Sequence, residues 1–311
     1  MNVLRVVFIS LAISVSCIAS AQQALRFGSI STNVGMSTYY GELNNKLLPS
    51  TTETIQLVNS QRFTSWSIDY EQYFGNSLAV GISYTNAVVS ASDRALDWNG
   101  DLVLDAENFD RSLHFRTEIE QYSLYSKWSG NDGRFFKTTA FFSPYVKFGM
   151  GFSKFTSYGD LFDANGWRYL YGRDELYGVE GGDILAKTQM DGVYETELRP
   201  LNTEAQPYGK FSITTTAGLG LNFRFCNAFS IQLGTDVQFM LSDNLDNVSG
   251  PFFFTSDEAV GAANNPAYNS EEDTRGEPGN DWYAYTYVGA RIYFGKRSTN
   301  SSPRPEKPEV Q

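Results

Sequence analysis

Between residues 27 and 295 the chain is patterned in twos. Segments of about ten residues set apolar positions against polar or small ones, the period of a β-strand with two unlike faces and the length of a tilted membrane-crossing strand. Eight such segments are legible. The first carries Ile30, Thr32, Val34, Met36 and Tyr40 on one face and Ser31, Asn33, Gly35 and Ser37 on the other. The second opposes Trp66, Ile68, Tyr70 and Phe74 to Ser67, Asp69, Glu71 and Tyr73, and the third Leu78, Val80, Ile82, Tyr84 and Val88 to Ala79, Gly81, Ser83 and Thr85. The fifth sets Val146, Phe148, Met150 and Phe152 against Tyr145, Lys147, Gly149 and Gly151. The sixth runs from Phe211 to Phe225 with odd positions apolar and even ones polar or small. The seventh opposes Ile231, Leu233, Val237, Phe239 and Leu241 to Ser230, Gln232, Gly234, Asp236 and Gln238. The eighth opposes Trp282, Ala284, Val288, Ile292 and Phe294 to Tyr283, Tyr285, Tyr287, Gly289, Arg291 and Tyr293. The fourth, between His114 and Trp128, breaks step: Ile119 and Leu124 fall on opposite parities, which predicts either a bulge near Gln121 or a different register.

A soluble sandwich also alternates, so the connections matter. Those near Gly75-Asn76-Ser77, Gly130-Asn131-Asp132-Gly133 and Cys226-Asn227-Ala228 are short, whereas those near 43–63, 90–113, 157–209 and 242–281 are long and polar. Short turns on one side and long loops on the other match an up-and-down outer-membrane barrel with both termini in the periplasm. Aromatic residues gather at the segment ends (Phe27, Tyr39, Tyr40, Phe74, Trp128, Phe141, Phe142, Phe225, Trp282 and Phe294), where interfacial girdles lie. The last segment ends with Tyr287, Gly289, Ile292 and Phe294 in an order that resembles the C-terminal signal read by the barrel-insertion machinery. The expected fold is therefore all-β: a transmembrane antiparallel up-and-down barrel of about eight strands, in contact with outer-membrane lipid.

The ends of the chain refine this. Residues 1–21 combine Arg5, an apolar run from Val6 to Val15 and the small residues Ala19-Ser20-Ala21, the order of a secretory signal peptide cleaved after Ala21. Cys17 leaves with the signal, so Cys226 has no partner for a disulfide within the mature chain. Residues 22–295 then form one barrel domain without a linker, and 296–311, rich in proline and charge, are expected to be a disordered periplasmic tail. Past residue 21 no apolar run approaches the roughly 20 residues of a membrane helix, which leaves a closed barrel as the spanning solution. A formal net charge of -11 with no basic stripe gives nucleic acid no electrostatic footprint.

Six inward positions carry charge: Asp69, Glu71 and Asp236 with Lys147, Arg224 and Arg291. In a lumen only wide enough for side chains, such charges must pair, because an isolated buried charge is costly. Glycines at Gly81, Gly149, Gly218 and Gly289 are expected to make room for the Tyr and Arg side chains beside them. The single histidine, His114, stands near Ser112 and Glu118, the residue types with which some small barrels hydrolyse lipid. Asp97, Asn99, Asp101 and Asp105 occupy the oxygen-ligand places of a calcium loop. Leu102 stands where that loop has Gly, however, and Asn108 where it has a bidentate Glu, so a solvated acidic loop is the plainer reading. No cofactor-binding motif is present, and none is expected to be needed.

Three stretches carry a resemblance: Ser143-Pro144-Tyr145-Val146-Lys147-Phe148-Gly149, Leu198-Arg199-Pro200-Leu201-Asn202-Thr203-Glu204-Ala205-Gln206 and Ser242-Asp243-Asn244-Leu245-Asp246-Asn247-Val248-Ser249. They resemble PorG-like outer-membrane barrels of Bacteroidota, in layout over roughly residues 25–295. The resemblance implies an outer-membrane component linked to type IX secretion or gliding. The expected function is accordingly a non-enzymatic structural or assembly barrel that contacts other envelope proteins. A surface-binding barrel whose loops meet a ligand, and a lipid-modifying enzyme, are the alternatives.

Overall fold

The computed structural model describes residues 27–41, 43, 65–75, 77–93, 113–130, 140–166, 191–202, 207–248 and 279–295. Residues 1–21, read above as a signal peptide, the tail after 295, and the calcium candidates Asp97, Asn99, Asp101 and Asp105 lie outside the described residues.

Among the described residues there are nine strands: β1 (Phe27–Tyr40), β2 (Ser65–Phe74), β3 (Leu78–Ser92), β4 (His114–Ser129), β5 (Phe142–Gly159), the two-residue β6 (Thr196–Glu197), β7 (Phe211–Arg224), β8 (Phe229–Met240) and β9 (Trp282–Gly295). Eight of them pair antiparallel in a ring. Each of β1 to β4 pairs with the next, β5 with β7, β7 with β8, β8 with β9, and β9 closes on β1 from Phe27↔Gly295 to Tyr40↔Trp282. Closure removes the edges that an open sheet would present. Strand β6 is an appendage on the loop end of β5, pairing Tyr158↔Glu197 and Gly159↔Thr196.

The alternation sorts side chains as a membrane requires. Ile82, Leu124, Phe148, Phe152, Leu219, Leu233 and Ile292 point outward and are exposed, while Ser31, Glu71, Lys127, Thr216, Gln232 and Arg291 point inward and are buried. In water this would be inside out. Across a bilayer, lipid takes the place of an apolar core on the outer face, and a paired backbone leaves no polar group facing it. The fold is thus an all-β, membrane-spanning barrel of the bacterial outer-membrane type.

Strand β4 contains no bulge. Its pairs run without interruption from Leu78↔Trp128 to Ser92↔His114 on one side and from Arg116↔Tyr158 to Ser129↔Tyr145 on the other. The opposite parities of Ile119 and Leu124 have another cause: the polarity of the two faces inverts along the strand. Toward the short-turn end Tyr122, Leu124 and Trp128 face outward and Ser123 and Lys127 inward; toward the long-loop end Glu118 and Glu120 face outward, and Phe115 and Ile119 are buried inside. The same inversion occurs on β5, where Lys154 faces outward and Phe155 inward. Outward Glu120 and Lys154 form an exposed ion pair at 3.2 Å, as suits a surface in water. These strands therefore rise out of the lipid and surround an apolar core above it.

Two expectations about aromatics are corrected. Tyr39 and Phe27 belong to no outer girdle; their odd parity turns them inward and both are buried. The outward aromatics do form clusters, including Tyr40 stacked on Trp282 with ring centroids 4.0 Å apart and Trp66, Tyr84 and Tyr122 in a row.

Candidate functional site: a sealed lumen and its mouth

Three layers fill the barrel. Nearest the short turns, Phe27 lies between Tyr73 and Tyr293, with centroids 5.0 and 5.4 Å away, and closes that end with an aromatic plug.

Above it lies a polar network. Glu71 on β2 accepts from Lys127 Nζ at 2.8 and 2.9 Å, from Arg291 Nη2 at 2.9 Å and through its second oxygen from Arg291 Nη1, and from Tyr73 and Tyr125 hydroxyls at 2.8 and 2.9 Å. Gln232 accepts from Arg291 and donates to Asn33, whose amide in turn donates to Asp69 and Ser67 at 2.7 Å each. Lys147 donates to Asp236 at 2.8 Å, beside the paired hydroxyls of Tyr145 and Tyr287. The lysines also lie over rings, Lys147 at 4.2 Å from the Tyr125 centroid and Lys127 at 4.7 Å from that of Tyr145. The layer holds three carboxylates and three cations: Glu71 pairs with Lys127 and Arg291, Asp236 with Lys147, and Asp69 is held by Asn33 and Ser31 instead of a cation, so the charges balance, the condition under which buried charge is tolerated.

The structure brings together Asp69, Glu71, Lys147, Asp236 and Arg291 from the residues read in the sequence. Arg224, half-buried at the end of β7, lies over the Tyr293 ring, 4.9 Å from its centroid. The network also contains Lys127, on the strand whose parity could not be assigned from sequence. The glycines make room for lumen side chains, though only in part the ones expected: a Cβ on Gly81 would collide with Tyr125, whereas one on Gly218 would meet Asp236 and one on Gly289 Asn33. Of the residues read as an assembly signal, Tyr287 and Gly289 face inward and Ile292 and Phe294 outward.

The third layer is the apolar core of the loop end: Ala87, Val89, Phe115, Ile119, Phe155 and Met240, lidded by Leu161, Leu198 and Leu245. Leu245 belongs to the chain after β8, which turns into the mouth. Its carbonyl accepts from Thr117 Oγ1 at 2.5 Å and Ser157 Oγ at 2.8 Å, and its N–H donates to Asp281 at 2.8 Å. Its neighbours are held as firmly. The Tyr39 hydroxyl sits between the Asp246 and Asp281 carboxylates, 2.6 and 2.7 Å away, and Asn247, at φ 62°, accepts from the Tyr208 hydroxyl at 2.8 Å. Nothing in the alternation marks Leu245 as buried, since it sits in a loop. The sequence signal for it was the motif around Ser242–Ser249, and the motif around Leu198 supplies the adjacent part of the lid.

His114 is buried at the start of β4, where Nε2 meets the Asp160 carbonyl at 2.8 Å and Tyr194 packs edge-on with centroids 6.3 Å apart. Glu118, four residues along the strand and so roughly 13 Å away, is exposed on the outer side. Ser112 lies outside the described residues. Among the described residues no cluster of three or more His, Cys, Asp or Glu could hold a metal ion.

The sequence matches no family model and no curated protein. Among solved structures the chain is similar to Neisserial surface protein A, with 8% identity, a TM-score of 0.35 and coverage of 86% of this chain and 95% of that one. It is similar also to Ail, the attachment invasion locus protein of Yersinia pestis, in complex with a heparin analogue (13% identity, TM-score 0.35, 86% and 99% covered). A third is the outer membrane enzyme PagL (10% identity, TM-score 0.25, 85% and 98% covered). At these scores the architecture rests on the strand pairing described above, and proteins so different in role lend none of their roles to this chain.

Proposed function

We propose that this protein is a non-enzymatic structural or assembly barrel of the bacterial outer membrane, sealed along its axis, that serves as a rigid mount for other envelope proteins. The observation that carries the proposal is the lumen itself. Aromatic plug, neutral ion network and leucine lid are stacked in series, so the interior is occupied by the protein's own side chains. What remains for interaction is the loops above and the tail below. The finer reading, an accessory component of type IX secretion or gliding, is supported by the PorG-like motifs, two of which build the lid over the mouth. Burial of His114 against a backbone carbonyl, away from Glu118, favours the non-enzymatic reading over a lipid-modifying one. The test is affinity purification of the tagged full-length chain from detergent-solubilised outer membrane, together with secretion assays in a deletion strain. Stoichiometric envelope partners and a secretion or gliding defect are expected. A barrel recovered alone from a strain that secretes normally contradicts the proposal.

A further inference from the structure

The long loop between β5 and β7 is clasped at its base by two reciprocal contacts. Asp160 Oδ2 accepts from the Gly192 N–H at 2.8 Å, and Glu195 Oε1 accepts from the Leu161 N–H at 2.9 Å. Gly192 has φ 80°, a conformation that favours glycine, and this turns its N–H toward the carboxyl. Asp160 is fully buried, and its Oδ1 has no hydrogen-bond partner among the described residues. The acids facing it are Asp191, within hydrogen-bonding reach, and Glu195. His114, on β4, contacts its carbonyl, and Tyr194, beside His114, is in turn influenced by Arg116.

An ionised Asp160 would leave Oδ1 as a bare acceptor, buried and beside two further carboxylates. A proton on the Asp160 carboxyl makes it a donor, and the Asp191 carboxylate lies within hydrogen-bonding reach of it. We propose that Asp160 carries a proton in the closed clasp and shares it with Asp191, so that the base of this extracellular loop is a proton-dependent latch that loosens as pH rises.

Asp160 lies beyond the last residue of β5, on the aqueous side. Burial, reinforced by Asp191 and Glu195, raises its pKa from the ordinary carboxyl range to about 7, although the Gly192 N–H pulls the other way. A pKa raised in the closed state means that the latch is strongest below the pKa of the open state, about 3.9, and weakens until pH passes the closed-state value. Glu197, whose pKa is lowered by Lys210 and Arg199, acts oppositely: its contribution fails only as pH falls through the acid range. The window that isolates Asp160 is therefore pH 5 to 8.

The experiment is hydrogen exchange of the full-length protein in nanodiscs, read as protection factors at Leu161, Gly192 and Val193 after correction for intrinsic rates. Protection is expected to fall about tenfold per pH unit up to about 7 and then level off. Asp160→Asn, which keeps an acceptor for Gly192 and supplies an N–H for Asp191, should stay protected and flat with pH. Asp160→Ala should be open throughout, and barrel amides on β7 should be unchanged in both variants. Because histidine also changes charge in this range, His114→Gln is the discriminating control and should keep the wild-type profile. A wild-type profile independent of pH, an Asp160→Asn profile that still titrates, or loss of the titration in His114→Gln each overturns the proposal.

Discussion

Lys147 on β5 and Asp236 on β8 meet at 2.8 Å across the lumen with both side chains almost fully buried. Neither strand pairs with the other, so this contact ties together parts of the wall that β7 separates. Asp236→Ala leaves a buried, unpaired ammonium and is expected to lower stability by about 3 to 5 kcal/mol, although it adds apolar surface. Replacing both partners, Asp236→Leu with Lys147→Met, should recover most of that loss. The measurement is the urea midpoint of the protein refolded into detergent micelles, followed by the gel shift between unheated and boiled samples. Equal losses in the single and double variants would mean that the pairing contributes little.

The seals act in series, which makes the conductance insensitive to any one of them. Reconstituted wild-type protein should give no sizeable steady current in a planar bilayer. Leu245→Ala, which removes the centre of the lid, should cost about 2 to 5 kcal/mol locally and loosen the mouth in hydrogen exchange, yet remain non-conducting because Glu71, Lys127 and Arg291 still fill the middle. Large, regular single-channel steps in either protein would show a continuous aqueous path.

Leu233 lies midway along β8 between Phe229 and Phe239 and points outward, 45% exposed. If its surroundings are lipid, Leu233→Arg should cost about 2 to 4 kcal/mol, whereas Leu233→Ala should be tolerated because lipid fills the space. In a soluble sandwich the alanine would leave a cavity and cost about 2 to 5 kcal/mol. Comparing the folded fraction of the two variants in lipid vesicles separates these cases.

The legibility of the chain follows its solvent. Where a strand runs between lipid and lumen, outward apolar and inward polar positions alternate strictly, and seven of the eight barrel strands could be read from that pattern alone. Strand β4 resisted because it rises from lipid into water, and its faces exchange polarity on the way: Leu124 is outward in the bilayer and Ile119 inward above it. Lys127 was lost with that register. The lid was invisible for a different reason. Leu245 and Leu198 are placed by contacts over more than a hundred residues of sequence for Leu245 and Thr117, which no local period encodes.

The most direct test of the membrane-spanning barrel is a nitroxide scan of β8 in lipid vesicles, one cysteine at a time from Ile231 to Phe239 in a Cys226→Ser background, recording collision with oxygen and with a water-soluble nickel chelate. At Ile231, Leu233, Val237 and Phe239 high oxygen and low nickel accessibility are expected; at Gln232, Asp236 and Gln238 low accessibility to both is expected, because the lumen is filled. Uniformly low oxygen accessibility at the outward positions, or nickel accessibility at the inward ones, would contradict the membrane-spanning barrel.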